Sequence, residues 1–304
     1  MQFKIKIRLH RIEYLIVFCT LNMGSSSIVV LGSLHYDIFI KSNAIPKIGE
    51  TVLAEKWFPK LGGKGANQAV ALNKELIKVK FISAIGNDFF SEFLIKKLQE
   101  ENISLANISK VKGNSGISVA ISNKSGDYSA VVVSGVNLEI PEALLHDNNL
   151  WKDASFLMIQ NEIKEEMNLA AAKQAKKRNI KVFFNAAPAK NINIKLFEFV
   201  DILLVNEIEA QQLSEDNSGN FVTIASKLSN IVSKVIITLG SDGVILCEKD
   251  NTPIHIKGFP VNVKSAHGAG DYFAGKFLID FVKNNDFENS IRVANKKTAE
   301  FIST

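Results

Sequence analysis

Two glycine-rich segments of the sequence carry the residue types that could bind and transfer a phosphoryl group. Residues 267–271 read His-Gly-Ala-Gly-Asp and precede an apolar run, a pattern that predicts the beginning of a helix. Backbone N–H groups at a helix N-terminus are unpaired and the helix dipole favours negative charge there, so small residues let a phosphate approach closely. Asp271 adds a carboxylate that could accept a hydroxyl proton. The segment therefore predicts phosphoryl transfer to a hydroxyl group.

The other segment, residues 62–69, reads Gly-Gly-Lys-Gly-Ala-Asn-Gln-Ala. It is not a P-loop, because Gly65 follows Lys64 where that motif has the serine or threonine that binds Mg²⁺. A dinucleotide-binding motif is also unsupported, because Gly32 stands alone after the first predicted strand. By itself the segment predicts a tight turn that opens a helix over residues 67–72, and a binding role stays open.

Three polar residues follow predicted strands, where open α/β sheets bind their ligands. Glu162 follows a strand that ends near residue 160, and it could contact a ligand or only complement a helix dipole. Asn206 and Glu209 follow the strand predicted at residues 202–205. One amide and one carboxylate suit the hydration shell of Mg²⁺. The same pair is also common as a helix N-cap with a surface acid.

The elements that must position these residues alternate between strands and helices. Helical periodicity over residues 163–178 and 89–101 predicts helices, and apolar, β-branched runs predict strands. The predicted strands span residues 28–31, 79–85, 156–159, 181–184, 202–205 and 235–239. This alternation predicts an α/β fold with a parallel sheet covered by helices on both faces.

Two regions interrupt this alternation. Residues 117–121 and 128–133 flank the sequence Ser-Asn-Lys-Ser-Gly-Asp, which is the signal of a β-hairpin. Residues 36–58 also have an extended rather than a helical pattern. We therefore expect regions of about 36–58 and 114–134 to form a small sheet that projects from the main one.

The composition favours one soluble α/β domain that is large enough to bury a core. The chain has 304 residues, of which 46% are hydrophobic and 22% are charged. Its net charge of +5 is concentrated near the N-terminus and forms no dense basic patch elsewhere, so we expect no nucleic-acid partner. Cys19 and Cys247 form neither a disulfide framework nor a metal-binding spacing, which suits a reducing compartment such as the cytoplasm.

Residues 1–27 are unusual because basic residues precede an apolar run at residues 14–21, as in a signal peptide. The run is too short to span a bilayer, so we expect no membrane partner. Translation could begin at Met23, the segment could be a loosely held extension, or it could be a cleaved targeting sequence. We expect residues 1–27 to lie outside the fold and the domain to span residues 28–304.

Further motifs follow in an order that resembles the ribokinase-like (pfkB) carbohydrate kinases. Besides the two glycine motifs they are Leu31-Gly32-Ser33 with Asp37, Gly49-Glu50-Thr51-Val52, Asn185-Ala186-Ala187-Pro188-Ala189, Asn206-Glu207-Ile208-Glu209-Ala210 and Thr238-Leu239-Gly240-Ser241-Asp242-Gly243. The resemblance extends from about Ile28 to the C-terminus. It implies a three-layer α/β/α sandwich with a mostly parallel central sheet, a small β-sheet lid, and a homodimer formed through the lid.

The resemblance also implies an activity, namely an ATP-dependent and Mg²⁺-dependent kinase that phosphorylates the primary (5-) hydroxyl of D-ribose to give ribose 5-phosphate. In this assignment Asp271 is the general base and the backbone of Gly268, Ala269 and Gly270 forms the anion hole. The implied sugar contacts are His35, Asp37, Gly63, Lys64, Asn67, Glu162 and Asp271. The implied nucleotide contacts are Asn206, Thr238, Gly240, Ser241, Gly243, Gly270 and Asn295. Asn206 and Glu209 would bind Mg²⁺ through water.

The chain departs from the family pattern at three positions and at its end. Ser265 stands where the family has an aspartate that helps to bind K⁺, and His267 lies inside the glycine turn. Ser265 and His267 would form a degenerate monovalent-cation site, so we expect little dependence on K⁺. His35 replaces an asparagine and could either alter the sugar pocket or be a packed residue. The family's last loop and helix are not encoded before Thr304.

These departures keep two alternatives open. His35 suggests a kinase for deoxyribose or a nucleoside. Ser265 and the short C-terminus suggest a relative that binds a sugar or a nucleotide with weak catalysis. The presence of Asp271, Asn206 and Glu209 argues against this second alternative, because a protein that only binds would not need them.

Overall fold

The structure is a computed structural model that describes residues 26–75, 77–123, 128–190 and 192–303, with Tyr128 described by its backbone only. Most of the N-terminal extension, residues 1–25, lies outside the described residues, as does the turn of the predicted hairpin at residues 124–127. The first strand begins at Ser27, one residue before the expected start of the domain. No helix in the described part of the chain is long and apolar enough to cross a membrane.

The described residues form thirteen strands in two sheets. In chain order the strands are β1 Ser27–Leu31, β2 His35–Ser42, β3 Ala54–Gly62, β4 Lys78–Ile85, β5 Ile108–Lys110, β6 Gly116–Ser122, β7 Tyr128–Val133, β8 Ala154–Gln160, β9 Lys181–Asn185, β10 Ile202–Asn206, β11 Lys234–Thr238, β12 Val244–Glu248 and β13 Ile254–Ile256.

The larger sheet has the strand order β13-β12-β11-β10-β9-β8-β1-β4-β5. The strands from β11 to β5 pair in parallel, and β12 and β13 extend the other edge in antiparallel orientation. This confirms the six predicted strands and the mostly parallel sheet. The sequence interpretation missed the edge strands. β5 and β13 have three residues each, too few for a periodic pattern, and β12 follows a tight turn that reverses the chain.

Helices cover both faces of this sheet. They are α1 Lys64–Asn73, α2 Phe90–Glu100, α3 Asn148–Trp151, α4 Glu165–Lys176, α5 Glu207–Ser214, α6 Phe221–Ser229, α7 Ala269–Asn284 and α8 Phe287–Ile302, with 3₁₀ turns at Gly135–Glu139, Glu142–His146, Ile194–Phe199 and Gly240–Asp242. In β1, Val29 and Leu31 enter one core with α4 and α6, while Ile28 and Val30 enter the other with α1, α2, α7 and α8. Alternate side chains of one strand therefore reach two cores, which confirms the three-layer sandwich.

The smaller sheet has the order β3-β2-β6-β7 and confirms the predicted hairpin, because β6 and β7 pair in antiparallel orientation. Two of its strands are inserted between β1 and α1, since three residues separate β1 from β2 and β3 leads directly into α1, whereas β6 and β7 follow β5 in the chain. At the base of this sheet, His35 pairs with Gly62 of β3 on one side and with Gly116 of β6 on the other. The first residue of β2 and the last residue of β3 therefore lie side by side.

Helix α7 is held in place by aromatic packing and by close contact with α1. The Phe277 ring lies 5.7 Å from that of Phe183 and 5.8 Å from that of Phe287, measured between centroids. Gly275 permits the close contact, because a Cβ there would lie 2.7 Å from the Ala71 Cβ. This packing brings the first turn of α7 next to the first turn of α1.

Candidate active site

The glycine turn at residues 267–271 opens α7, as the sequence predicts. Gly268 is the N-cap residue and has a φ of 75°, in the left-handed region that favours glycine. A Cβ added at Gly268 or Gly270 would meet no atom within 4 Å, so the turn borders open space. The Ala269 N–H donates to the Ala266 carbonyl at 3.2 Å. To contribute to the predicted anion hole, the Ala269 N–H would have to leave the Ala266 carbonyl or donate to it and to a phosphate at once.

Asp271 lies in the first turn of α7, and only 6% of its surface is exposed. Its Oδ2 accepts a hydrogen bond from the Asn67 side chain at 3.2 Å, and its Oδ1 accepts one from the Gln68 side chain at 3.0 Å. Burial raises the pKa of the Asp271 carboxyl, while the Lys64 charge and the two amide donors oppose that increase. Sequence interpretation missed Gln68, although it directly follows Asn67 in the glycine-rich segment.

That segment forms a turn that opens a helix, three residues earlier than expected. Gly63 is the N-cap of α1 with a φ of 87°, and a Cβ there would lie 2.8 Å from the Ser33 carbonyl oxygen. A Cβ on Gly65 would lie 2.6 Å from the Gly32 carbonyl carbon. The two glycines therefore let α1 begin directly against the chain that leaves β1.

Glu162 connects the chain that leaves β1 with the beginning of α1. Its Oε2 accepts hydrogen bonds from the Ser33 hydroxyl at 2.5 Å and from the Lys64 backbone N–H at 2.9 Å. The carboxylate therefore complements the N-terminus of α1, a helix distant in sequence, rather than that of the helix which follows it in the chain. The contact of Glu162 with a sugar, which the resemblance implies, stays a prediction.

Asp37 and His35 lie together at the base of the small sheet. The Ser118 hydroxyl donates to Asp37 Oδ1 at 2.5 Å, and a Cβ on Gly62 would lie 2.0 Å from Oδ2 of the same carboxyl. Burial raises the pKa of Asp37, and the Ser118 hydrogen bond opposes this. His35 is 2% exposed, and its Nε2 has no hydrogen-bond partner among the described residues. Burial lowers the pKa of His35, which favours a neutral ring.

Asn206 and Glu209 form a capping box at the N-terminus of α5. The Asn206 Oδ1 accepts from the Glu209 N–H at 2.8 Å, and the Glu209 Oε2 accepts from the Asn206 N–H at 2.9 Å. Burial raises the pKa of Glu209, and the Lys64 charge opposes that shift. The alternative is therefore correct for Asn206, which is the N-cap, but not for Glu209, which is buried rather than a surface acid. The metal role of the pair stays a prediction. The described residues contain no cluster of three or more histidine, cysteine, aspartate or glutamate side chains that could hold a metal.

The expected nucleotide contacts lie at the turn between β11 and β12 and on α8. Gly240 and Gly243 have φ values of 53° and 98°, and they bound the tight turn that contains Ser241. The Thr238 hydroxyl donates to the Val205 carbonyl at 3.4 Å. Asn295 donates to the Lys257 carbonyl at 3.0 Å, and a Cβ on Gly243 would lie 2.6 Å from the Lys257 carbonyl carbon. The Lys257 backbone therefore contacts both Asn295 of α8 and the turn between β11 and β12.

The two residues of the expected monovalent-cation site differ in their surroundings. Ser265 is exposed, and its hydroxyl accepts from the His267 N–H at 3.4 Å. The His267 ring contacts Phe39 of β2 edge to face, with centroids 5.6 Å apart. Burial and the nearby Lys60 lower the pKa of His267. The side chain of His267 therefore packs against the small sheet.

Lys64 lies near both the predicted sugar-binding and the predicted metal-binding side chains. Its charge opposes the burial that raises the pKa values of Asp271 and Glu209, and it adds to the decrease in the pKa of His35. Asp271 in turn adds to the increase in the pKa of Glu209. Because such effects decline with distance, these side chains lie in the neighbourhood of the N-terminus of α1, where Lys64 is the first residue.

Comparisons with known proteins agree with this arrangement. Residues 25–303 match the family described as pfkB family carbohydrate kinase. The chain is 35% identical to the ribokinase of Lactococcus lactis over 273 residues, which cover 88% of each chain. It is 30% identical to the deoxyribokinase of Salmonella typhimurium, over 88% of this chain and 89% of that one. The structure of Arabidopsis thaliana ribokinase complexed with ribose and ATP superposes with a TM-score of 0.82 at 26% identity, covering 92% of this chain and 93% of that chain.

Proposed function

Because the chain belongs to the pfkB family of carbohydrate kinases, we propose that it transfers the γ-phosphoryl group of ATP to the primary (5-) hydroxyl of D-ribose, giving ribose 5-phosphate. The protein is a phosphotransferase whose acceptor is a sugar hydroxyl. Ribose is supported by the identity to the Lactococcus ribokinase, and ATP by the likeness to the Arabidopsis ribokinase structure that contains both substrates.

The observation that carries this proposal is the position of Asp271. The carboxylate is buried in the first turn of α7, directly after a turn of small residues that borders open space. A hydroxyl that approaches Asp271 would lie beside the backbone N–H groups of Gly268, Ala269 and Gly270. A base and an anion-binding backbone are thereby held on one rigid element, as phosphoryl transfer to an alcohol requires.

In this mechanism Asp271 accepts the proton of the sugar hydroxyl as the oxygen attacks the γ-phosphoryl group. Burial raises the pKa of Asp271 towards the range in which a carboxylate is an effective base, while Asn67, Gln68 and Lys64 favour its ionised form. The N–H groups of the turn stabilise the charge of the transferring group. His35, Asp37, Gly63, Lys64, Asn67 and Glu162 orient the sugar.

The residues near the start of α5 fit a hydrated Mg²⁺ that accompanies ATP. Asn206 and Glu209 offer one amide and one carboxylate at the carboxyl end of β10, and Mg²⁺ keeps several of its waters in such sites. When bound, the ion would neutralise part of the phosphate charge. The nucleotide would extend from there along Thr238, Gly240, Ser241 and Gly243 towards Asn295, with Gly270 beside its phosphates.

We expect little dependence on K⁺. Ser265 contributes a neutral hydroxyl where a carboxylate would supply compensating charge, and the His267 ring packs on Phe39. Rates measured in K⁺ and in a bulky organic cation at equal ionic strength should agree within about twofold, since Ser265 supplies no charge that would favour the smaller ion. Strong, saturable activation by K⁺ would contradict this expectation.

The small sheet is proposed to be a lid over the sugar and the surface through which two copies of the chain associate. Its edge strand β7 exposes three consecutive valines, which a second copy would cover. Lid closure would exclude water and so limit ATP hydrolysis. A cytoplasmic location is proposed because ATP is available there.

The test of the function is phosphorylation of a sugar panel by the wild-type protein and by Asp271→Asn. We expect ribose to be phosphorylated, and we expect the variant to lose roughly a hundredfold or more in kcat with ATP and sugar binding retained, because the change removes the base and keeps the size of the side chain. Asp280→Asn is the matched control, since Asp280 lies on the same helix and accepts only from Ser290 among the described hydrogen bonds. Wild-type turnover of Asp271→Asn would contradict the mechanism.

Deoxyribose is the second candidate acceptor. The identity to a deoxyribokinase and the buried His35 both favour including it. Its kcat/KM relative to that of ribose decides between the two sugars, and nucleosides belong in the same panel.

A further inference from the structure

Two glutamine side chains form a buried chain of hydrogen bonds that ends on Asp271. The Gln68 Nε2 donates to Asp271 Oδ1 at 3.0 Å, and the Gln160 Nε2 donates to Gln68 Oε1 at 2.6 Å. Both glutamine residues are 0% exposed. Breaking either hydrogen bond would leave further buried polar atoms without a partner, which favours keeping both.

The far end of the chain is held by the main sheet. Gln160 is the last residue of β8, its carbonyl accepts from the Asn168 side chain at 2.7 Å, and its side chain packs against Gly32. A Cβ on Gly32 would lie 1.8 Å from the Gln160 Oε1. The absence of a side chain at Gly32 therefore creates the space that the Gln160 amide occupies.

The Asp271 carboxylate sets the direction of this chain. A glutamine amide can present either its oxygen or its NH₂ group to a neighbour, whereas an ionised carboxylate can only accept. Gln68 therefore directs its NH₂ group to Asp271, and its oxygen accepts from Gln160. The Gln160 Oε1 has no hydrogen-bond partner among the described residues. Gln160 thereby supports the orientation of Gln68 that donates to Asp271.

We propose that Gln68 and Gln160 are positioning residues for phosphoryl transfer, which act by holding the Asp271 carboxylate ionised and in one orientation. The proposal rests on the proposed role of Asp271 as the base. Two amide donors, one from Asn67 and one from Gln68, fix the plane of the carboxylate. A carboxylate has about four acceptor positions, so two remain for the substrate proton.

The other charged groups that face Asp271 come from three elements. Lys64 on α1 favours the ionised carboxylate, whereas Glu162, after β8, disfavours it. Glu209 on α5 is a further acidic neighbour, since Asp271 raises its pKa. Burial and Glu162 thus act against the ionisation of Asp271. Loss of the Gln68 donor would therefore move the acid limb of the pH–rate profile to higher pH, since the base must be ionised to act.

The test uses Gln68→Met and Gln160→Met, because methionine keeps an unbranched side chain and removes the amide. In the full chain we expect Gln68→Met to lower kcat roughly tenfold or more, the size expected for one hydrogen bond to a charged group. The acid limb should move to higher pH, and the KM values for ribose and ATP should change by less than about threefold. Gln160→Met should lower kcat and move the acid limb in the same directions but by less. Added to Gln68→Met, it should change neither kcat nor the acid limb further.

Asn73→Leu is the matched control, because Asn73 is an amide at the other end of α1 that donates to the Glu101 carbonyl. It should lower thermal stability and leave the acid limb in place. If Gln68→Met and Gln160→Met also leave the acid limb in place, the positioning role is wrong. Should Gln68→Met fail to fold, Gln160→Met alone decides. Wild-type activity of Asp271→Asn would instead contradict the proposed function itself, so the two failures are distinguishable.

Discussion

Each carboxylate at the sugar side of the site accepts a hydrogen bond from a neutral side chain. Ser33 donates to Glu162, Ser118 to Asp37, and Gln68 to Asp271. A neutral donor favours the ionised carboxylate without the strong charge of an ion pair, so each oxygen remains able to accept from a sugar hydroxyl. These three donor side chains fix the orientation of the carboxylates before a substrate binds.

The carboxylates could be predicted from the sequence, and their partners could not. Asp271 and Glu162 follow a glycine turn and a strand end, positions with a recognised chemical meaning. Nothing in the local sequence marks Ser118 as the partner of Asp37, and Gln160 meets Gln68 across 92 residues of sequence. The pairing of β2 with β6 brings Ser118 to Asp37, and the packing of α1 against the main sheet brings Gln68 to Gln160.

His35 provides a prediction at the scale of one residue. Its Nε2 is buried without a partner among the described residues, a condition that a sugar hydroxyl near Asp37 would relieve. His35→Phe keeps the ring and removes the nitrogen, so the KM for the sugar should rise roughly tenfold while the KM for ATP stays constant, since one unmade hydrogen bond costs about 1–3 kcal/mol. Steady-state kinetics with ribose and deoxyribose measure this. The exposed His146→Phe is the control, and an unchanged sugar KM would identify His35 as a packed residue.

At the scale of elements, the N-terminus of α5 combines a structural and a proposed chemical task in the same two side chains. Asn206 and Glu209 cap the helix through one oxygen each. Glutamine can replace glutamate in a capping box, whereas it cannot supply the negative charge that attracts Mg²⁺.

Glu209→Gln therefore separates the two tasks. We expect its thermal stability to stay within about 0.5 kcal/mol of the wild type, because the cap is kept. The Mg²⁺ concentration for half-maximal rate should rise several-fold, because one carboxylate near the ion is lost. Thermal unfolding and an Mg²⁺ titration at fixed ATP measure the two effects. Loss of stability with unchanged Mg²⁺ dependence would assign Glu209 to the cap only.

The contact between His267 and Phe39 joins the anion-binding turn to the small sheet. The rings meet edge to face at an interplanar angle of 72°, and the Lys60 amine lies 4.8 Å from the centre of the Phe39 ring. Such aromatic pairs contribute about 0.5–1.5 kcal/mol. His267 was predicted only as part of a degenerate monovalent-cation site, and its ring links the turn before α7 to β2 of the small sheet.

Removal of that contact should loosen the turn when the lid is closed. We expect His267→Ala and Phe39→Leu to lower kcat for sugar phosphorylation several-fold and to raise ATP hydrolysis without sugar, because water enters a less firmly closed site. The double variant should show a coupling energy of about 0.5–1.5 kcal/mol, and His267→Phe should restore much of the activity. Additive effects of the two single variants would show that the rings act independently.

The order of the central strands and helices could be predicted from the sequence, whereas the strands at the edges of the main sheet could not. Long apolar runs separated by helical patterns define the central strands, since burial on both faces demands them. The three-residue strands β5 and β13 depend on pairing with longer neighbours and have no signal of their own.

For the whole molecule, the small sheet presents an apolar edge. Val131, Val132 and Val133 of β7 are 69%, 48% and 57% exposed, so both faces of an edge strand are uncovered at that point. Exposed apolar edge strands favour association with another strand. The sequence predicts a separate small sheet. Which edge of that sheet stays exposed depends on how its strands pair, and the sequence does not show this.

If two copies associate through this edge, Val131→Lys should convert the protein from a dimer to a monomer. The added charge opposes burial in an interface, and each buried valine contributes about 1.5–3 kcal/mol. Sedimentation analysis over a range of concentrations measures the mass. Val222→Lys on α6 is the control, since Val222 is 46% exposed and lies outside the small sheet. A wild-type monomer, or a dimer that persists in Val131→Lys, would contradict association through β7.

The row of paired residues Gly62, His35 and Gly116 at the base of the small sheet has a mechanical consequence. All three strands that bear on the site begin or end on this line, so it is the natural axis about which the sheet would swing. Points on an axis move little during a rotation, and Asp37 lies only two residues from His35. Opening and closing would sweep the far ends of β2 and β3, at Ser42 and Ala54, through a long arc while Asp37 stays almost still. The site would thus admit and retain its sugar without being rebuilt in each cycle.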